Sequence, residues 1–259
     1  MNLVDRIENY WSKRSDDFFD LRIEELKSDK RQLWQDEIIA NLPDKEHLKI
    51  LDVGCGPGFF SVILSSLGHD VIGIDLTESM IQKADEVADI LDYDIDFRVM
   101  NAQELDFDDE EFDVVISRNL TWTLPDIEKA YKEWYRVLKK DGVLLNFDAD
   151  YGKVSLKEEM KSLGEEHSHN MMDSSLVKEC DDIKQELEIS KRRRPMWDEK
   201  FLQEIGFESC KIDCEISGRV YKIKDDSFFE ILKENIENKD FELPFEQNGI
   251  EEKIEEIYN

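Results

Sequence analysis

Three glycines at alternate positions, Gly54, Gly56 and Gly58, directly follow an apolar run at residues 50–53. Such a run suits a fully covered parallel strand, and glycines let its carboxyl end turn sharply while a ligand presses against bare backbone. A helix predicted over residues 59–67 would point its N-terminal amide groups at that ligand. The segment therefore predicts a pocket for a nucleoside-containing cofactor.

A carboxylate at the end of the next predicted strand supports the same pocket. Residues 71–74 predict this second strand, and Asp75 follows it, seventeen residues beyond Gly58. This is the expected place for a side chain that hydrogen-bonds both hydroxyls of a ribose. The three glycines could instead serve only a tight turn, but their combination with Asp75 favours the cofactor pocket.

Alternating strands and helices from residue 48 to residue 150 would position these groups, because the alternation is typical of a doubly wound parallel sheet. After the second strand, Thr77 can cap a helix whose inward face carries Met80, Ile81, Ala84, Val87 and Ala88. We predict further strands at 95–100 and 112–117 and a helix at about 125–138. A turn at 139–142 then leads into a fifth strand at 143–147.

Two helical regions flank this core. The first 45 residues predict helices, and Tyr10, Arg14 and Phe18 recur every four residues with Trp11 beside them, so they share one helical face. Residues 151–195 form a polar, mostly helical insertion after a strand end. Insertions at the carboxyl edge of such a sheet lie over the ligand crevice, so we expect a substrate lid.

The last part of the chain predicts a short helix at 198–206, a strand at 208–216 and a docked amphipathic tail at 225–259. The basic run at 191–194, at the end of the insertion, is either a solvated patch or, under the lid, a place for an anionic ligand.

Composition limits the class of partner. The chain has 259 residues, and its 63 acidic against 34 basic residues give a formal net charge of −29. This negative charge would repel nucleic-acid phosphates and anionic membranes. Such a charge is also explained by a need for solubility or by a salt-adapted host. The four cysteines form no Cys-x-x-Cys pair, and residues 1–14 do not resemble a signal peptide. We therefore expect a cytoplasmic protein without a metal site or a membrane partner.

The order of these motifs resembles the class I S-adenosylmethionine-dependent methyltransferases, especially their small-molecule branch, over roughly residues 11–217. Phe59 stands where a dinucleotide oxidoreductase would have the last glycine of its Gly-x-Gly-x-x-Gly motif. The resemblance implies an adenine-binding element at 101–105, where Asn101 replaces the usual Asp and keeps an acceptor oxygen. Residues 133–142 look like the family's segment before the fifth strand. The family's reversed strand could come only from residues 219–224.

The resemblance also implies the site residues. We expect the cofactor to contact Trp11, Arg14, Asp52, Gly54, Cys55, Gly56, Gly58, Asp75, Leu76, Met80, Asn101, Ala102, Gln103 and Ser117. The residues that end the fourth strand line the cavity beside the transferable methyl, so Arg118, Asn119 and Trp122 are the expected acceptor contacts.

Several of these assignments have a structural alternative. Arg14 either packs or pairs with the cofactor carboxylate, and Met80 either fills the core or touches adenine. Asp52 is either a solvated strand residue or a carboxylate that organises the glycine-loop amides and the cofactor's ammonium group. His167 and His169 are surface residues, metal ligands without an identifiable third partner, or candidates for a general base.

The sequence as a whole predicts a Rossmann-like methyltransferase fold, an α/β doubly wound and mostly parallel sheet with a helical N-terminal cap and a helical insertion. The expected parts are a cap at 1–45, a cofactor-binding core at 46–150, a lid at 151–195, the end of the sheet at 196–224 and an acidic tail at 225–259. The expected activity is methyl transfer from S-adenosylmethionine to a small acceptor, leaving S-adenosylhomocysteine. The alternatives are an RNA or protein methyltransferase and a non-catalytic cofactor-binding regulator.

Overall fold

The computed structural model describes residues 2–162 and 173–221. The chain divides into two units, Met1–Cys214 and a second one that begins at Glu215. Of the second unit the structure describes the residues up to 221, which include one short helix. The two candidate histidines, His167 and His169, and the predicted tail at 225–259 lie outside the described residues.

Five parallel strands form the sheet of the first unit. They are β1 (Lys49–Val53), β2 (Asp70–Asp75), β3 (Asp96–Val99), β4 (Phe112–Arg118) and β5 (Leu138–Phe147), in the order β3-β2-β1-β4-β5. The strand order reverses between β1 and β4, and ligands bind outside the carboxyl ends of the strands at such a switch point. The predicted doubly wound parallel sheet is confirmed.

Helices cover the sheet and its carboxyl edge. They are α1 (Leu3–Lys27), α2 (Lys30–Ile39), α3 (Phe59–Ser66), α4 (Glu78–Leu91), α5 (Ile127–Val137), α6 (Leu156–Ser162), α7 (Ser174–Glu186) and α8 (Met196–Ile205). The second unit contains α9 (Ile216–Tyr221). The predicted helical cap is α1 and α2, and the predicted insertion contains α6 and α7. None of the described helices has the length and apolarity that crossing a bilayer requires.

Apolar periodicity predicted the inward faces well. The five residues expected on the inner face of α4 are the ones that are buried. On α5 the buried face centres on Tyr131 and Trp134, which together with Phe112 of β4 are fully buried. Burying aromatic side chains of this size is a large part of the hydrophobic stabilisation of the core.

Three predicted elements differ in the structure. Residues 208–215 are not a strand, and residues 216–221 are helical, so the expected reversed strand at 219–224 does not begin there. The alternation of apolar residues at 210, 212, 214 and 216 favours a strand, but a strand also needs a paired neighbour, and β5 is the last strand of the described sheet.

The third difference is at β5, which begins at Leu138 rather than after a turn at 139–142. Phe112 pairs with Leu138 and Val114 pairs with Val143, so residues 139–142 form a bulge within the strand. The helix before it starts at Ile127, slightly later than predicted, because the Asp126 side chain accepts a hydrogen bond from the Lys129 amide and caps the helix.

Candidate functional site

A cleft of about 750 Å³, open to solvent, lies at the carboxyl ends of the strands. Its lining comes from α1, the glycine loop and the segments that follow β2, β3 and β4. Most of the predicted site residues meet there: Trp11, Gly54, Gly56, Asp75, Leu76, Met80, Asn101, Ala102, Gln103, Arg118 and Asn119. Ligands of open α/β sheets bind in a crevice at this position.

The glycine loop exposes backbone to this cleft. Gly54 and Gly56 have φ values of 69° and 52°, in the left-handed region that glycine adopts without strain. The amides of Gly54 and Cys55 both donate to the Ile74 carbonyl, at 2.8 and 2.9 Å. A Cβ atom on Gly54 would lie 2.8 Å from the methyl groups of Leu120, so a larger residue would displace that side chain as well as strain the backbone. Gly58 instead allows helix–strand packing, because its Cβ would lie 3.0 Å from Phe97.

Asp75 is held in place by backbone amides. Its two carboxylate oxygens accept hydrogen bonds from the Gly56 amide at 3.0 Å and the Thr77 amide at 2.9 Å. Burial raises the pKa of Asp75, and the two amides act in the opposite direction. A carboxylate has about four acceptor positions, so the fixed Asp75 retains capacity for ligand hydroxyl groups.

The loop after β3 is fixed to α5 by side-chain hydrogen bonds. The Asn101 side-chain oxygen accepts from the amide of Gln103 at 3.0 Å and from its side-chain nitrogen at 3.1 Å. The Gln103 side-chain oxygen accepts from the Asp126 amide at 2.6 Å. The Trp134 indole donates to the Ala102 carbonyl at 3.0 Å. The Asn101 oxygen predicted to face adenine is thus used within its own loop.

Two further residues of α5 extend this attachment. Glu133 accepts from the Leu105 amide at 3.0 Å, and Arg136 donates to the carbonyls of Leu105 at 2.9 Å and Phe107 at 2.8 Å. The segment at 133–142 that resembles the family therefore contributes the anchor of the post-β3 loop. These contacts were not predicted from the sequence.

A second cavity of about 290 Å³ adjoins the cleft at Gly54 and Arg118. Its other lining residues are Phe18, Arg22, Asp52, Cys55, Phe59 and Phe60. Asp52 accepts a hydrogen bond from Ser61 Oγ at 2.6 Å, and burial raises the pKa of Asp52 to about 7. The glycine-loop amides donate to Ile74 and Asp75, so the expectation that Asp52 organises those amides is wrong.

Arg118 lies between the two cavities and is bound to α1. Its guanidinium donates to both carboxylate oxygens of Glu25, at 2.8 and 3.1 Å, and Arg22 also pairs with Glu25. Burial favours the neutral form of Glu25, but the two arginines outweigh it and lower the pKa of Glu25 to about 2. The same guanidinium stacks over Trp34, Phe59 and Phe60, with ring-centroid distances of 4.4 to 5.4 Å.

Besides Gly58, three of the described site residues predicted from the sequence line neither cavity. Arg14 is buried, and its guanidinium donates to the Tyr10 hydroxyl at 3.0 Å. Trp122 lies behind Trp11, with ring centroids 6.2 Å apart. Ser117 is fully buried, and its Oγ has no hydrogen-bond partner among the described residues. The packing alternative for Arg14 is the one that the contacts support.

Sequence reasoning missed part of the lining. Arg22 continues the four-residue spacing of Tyr10, Arg14 and Phe18, so extending that stripe by one position could have found it. Most of the other missed residues carry no chemical signature in the sequence. Six of them lie on α1 and in the segment after β4, and most of these six are apolar: Val4, Ile7, Leu120, Thr123, Leu124 and Pro125.

Arg194 belongs to a buried network and is neither solvated nor available to an anion. Its guanidinium donates to Asp198 on α8 at 2.9 to 3.1 Å and to Thr121 Oγ1 at 2.7 Å, and it lies 3.8 Å from Asp148. The Tyr131 hydroxyl donates to Asp198 at 2.6 Å. Both alternatives for the basic run are therefore wrong at this residue, which fixes the turn after β4 that lines the cleft.

Residues 51–146 match a family model described as a methyltransferase domain. The putative methyltransferase YqeM of Bacillus subtilis is 37% identical over 120 residues, which is 43% of this chain and 46% of the relative. The ubiquinone/menaquinone biosynthesis C-methyltransferase UbiE of Rickettsia prowazekii is 35% identical over 144 residues, which is 52% of this chain and 57% of the relative. The chain thus spans about half the length of the curated relatives it matches.

A solved structure shows the same fold over a longer stretch. It is a putative S-adenosyl-L-methionine-dependent methyltransferase from Methanococcus maripaludis, with a TM-score of 0.55 and 18% identity, and the alignment covers 78% of this chain and 87% of that one.

Proposed function

Because this chain belongs, through its core at residues 51–146, to the class I S-adenosylmethionine-dependent methyltransferase family, we propose that it transfers a methyl group from S-adenosylmethionine to a small-molecule acceptor. One observation carries the proposal. The bare backbone of Gly54 and Gly56, the amide-anchored Asp75 and the fixed post-β3 loop line one cleft at the switch point of the sheet.

The residues of the cleft fit this cofactor. Asp75 would accept from the ribose hydroxyls, Met80 and Ala102 would contact adenine, and the two glycines would let the ligand approach the backbone. The second cavity suits a zwitterionic amino-acid group, because Asp52 can attract an ammonium group and Arg22 can attract a carboxylate. Arg22 takes this role from Arg14 because Arg22, which also pairs with Glu25, lines this cavity, whereas Arg14 lines neither cavity.

The cofactor supplies a methyl group that its sulfonium already activates. The protein's contribution is then mainly to hold the acceptor in line and to keep water out, which can account for a large part of the acceleration. Trp11, Asn119 and Leu120 are the residues proposed to face the acceptor.

Two observations support a small acceptor. The relatives include proteins named as the ubiquinone/menaquinone biosynthesis C-methyltransferase and, in Pelagibacter ubique, a ubiquinone biosynthesis O-methyltransferase, which is 33% identical over 99 residues. The net charge of −29 opposes the approach of a nucleic-acid backbone. RNA and protein acceptors remain the alternatives.

Calorimetric titration with S-adenosylhomocysteine tests the cofactor assignment. We expect binding that weakens at least about tenfold in Asp75→Ala, since charge-assisted hydrogen bonds to a ligand contribute about 1.5 to 3 kcal/mol each. Asp70→Ala is the matched control, because Asp70 lies at the exposed opposite end of the same strand. Equal affinity in both variants, or tighter binding of a nicotinamide dinucleotide, would contradict the proposal. Labelled S-adenosylmethionine added to a metabolite extract would then identify the acceptor.

A further inference from the structure

Part of the cleft lining is not assigned to the cofactor. From this part, which we call the wall, we infer that the acceptor is an uncharged molecule with an aromatic ring; the inference rests on the proposed function. This wall comprises the cleft-facing residues of α1 and of the segment that follows β4. Its members are Val4, Ile7, Trp11, Phe18, Asn119, Leu120, Thr123, Leu124 and Pro125. Seven of these nine residues are apolar or aromatic.

The side-chain oxygens of the two polar wall residues already have partners. The Asn119 side-chain oxygen accepts from the Tyr151 hydroxyl at 3.3 Å, and Thr123 Oγ1 donates to the Leu120 carbonyl at 3.0 Å. A strongly polar acceptor would therefore exchange most of its hydrogen bonds with water for contacts with apolar surface, which is unfavourable.

The charged side chains that line the cleft are already hydrogen-bonded within the protein. Among the described residues that line it, the charged ones are Asp75 and Arg118. Asp75 accepts from two backbone amides, and Arg118 forms its bidentate pair with Glu25. Among these lining residues an anionic acceptor would find no cation without a counterion, and the attraction of the cofactor's sulfonium would be opposed by the chain's net charge of −29. A cationic acceptor would be repelled by the cofactor's sulfonium.

An aromatic ring fits the wall because its central side chain is a fixed aromatic one. The Trp11 ring is held edge-to-face by Tyr10 at 5.3 Å, Phe18 at 5.5 Å and Trp122 at 6.2 Å between ring centroids. Such a ring offers a large, rigid apolar contact, and aromatic pairs contribute about 0.5 to 1.5 kcal/mol beyond the burial of their area.

Matched naphthalene probes test this inference. The full chain is first saturated with sinefungin, a cofactor analogue whose amine carries positive charge in place of the sulfonium, and its binding is recorded by calorimetry. The complex is then titrated with 2-naphthol, 2-naphthoate and 2-naphthylmethylammonium, which share a ring system and differ in charge. We expect 2-naphthol to bind at least about tenfold more tightly than either charged probe.

Variants locate the binding. Trp11→Ala should weaken 2-naphthol binding several-fold, and Val4→Arg should increase the affinity for 2-naphthoate by placing a cation on the wall. Ile90→Ala is the control, because Ile90 is 73% exposed on α4 and does not line the cleft. Equal or tighter binding of a charged probe, or no binding of 2-naphthol, overturns the inference while the proposed function stands. Absence of sinefungin binding would contradict the proposed function instead.

Discussion

Arg118 and Glu25 join the end of β4 to α1 through two hydrogen bonds of 2.8 and 3.1 Å, with less than a tenth of either side chain exposed. A bidentate pair of this kind fixes geometry as well as contributing energy. Because α1 carries Trp11 and Phe18 into the cleft, the pair holds the aromatic wall over the glycine loop.

Replacing Glu25 should therefore loosen α1. Glu25→Gln leaves Arg118 and Arg22 buried without their counterion, and breaking a buried pair in this way costs about 3 to 5 kcal/mol. We expect a lower free energy of unfolding in urea and faster hydrogen exchange in α1. Glu24→Gln, at the exposed neighbouring position, should change stability by less than about 0.5 kcal/mol. A similar small effect in both variants would contradict the role of the pair.

The same pair predicts an acid-sensitive stability. The pKa of Glu25 is lowered from 4.5 to about 2, because Arg118 and Arg22 outweigh the opposing effect of burial. The stabilisation is thus fully present above about pH 4.5 and is lost as the pH falls through 2. The Glu25→Gln variant should lack this part of the acid dependence.

Asp52 predicts the opposite pH dependence. Burial raises its pKa from 3.8 to about 7, so its contribution to stability is fully present below 3.8 and is lost as the pH rises through 7. The change is on the order of 1.4 kcal/mol for each unit of pKa shift. We expect Asp52→Asn to flatten the unfolding free energy between pH 4 and pH 8, whereas Asp70→Asn should keep the wild-type slope.

A ligand ammonium group should reverse the preference of Asp52 for its neutral form. If Asp52 attracts the cofactor's ammonium, S-adenosylhomocysteine should bind more tightly as the pH rises from 6 to 8, and this gain should be absent in Asp52→Asn. Calorimetry at matched ionic strength measures it. A parallel pH profile in the two proteins would remove Asp52 from the cofactor site.

Asn101 should affect cofactor affinity by maintaining the conformation of the loop after β3. Its side-chain oxygen accepts from Gln103 twice, so Asn101→Asp keeps the acceptor and should bind S-adenosylhomocysteine nearly as the wild type does. Asn101→Leu leaves these donors unpaired in a part-buried loop, at a cost of about 1 to 3 kcal/mol, and affinity should fall about tenfold. Glu104→Leu, at an exposed position of the same loop, is the control. Normal binding by Asn101→Leu would show that the loop is held without this side chain.

Local patterns predicted the parts of the site that depend on neighbouring residues in the chain. Gly54, Gly56 and Asp75 could be predicted because the turn after β1 and the end of β2 each have a short sequence signature. The inner face of α4 followed from helical periodicity. The short motifs and the helical periodicity each depend on residues that are close in the chain. The local structure that they predict is therefore kept when distant segments pack together.

Contacts between distant segments could not be predicted in this way. Arg118 was expected to face the acceptor, but its partner Glu25 is 93 positions away, and no local pattern links the two. Arg14 matched the spacing for a ligand contact, yet the fold turns it toward Tyr10 and leaves Arg22 at the cavity. The strand expected at 208–216 had the right alternation, but strand formation also depends on a partner that the sequence pattern does not specify.

Arg194 offers the sharpest test of the buried network that supports the cleft. Arg194→Met removes the cation shared by Asp198 and Asp148, so we expect a loss of about 3 to 5 kcal/mol in the free energy of urea unfolding. Arg192→Met, two residues away, removes an exposed side chain that lies 3.6 Å from Glu128, and it should cost less than about 1 kcal/mol. Adding Asp198→Asn to Arg194→Met should recover part of the loss, because it removes one of the two unpaired carboxylates. Equal effects of the two arginine variants, or no recovery in the double variant, would mean that packing rather than charge pairing maintains this region.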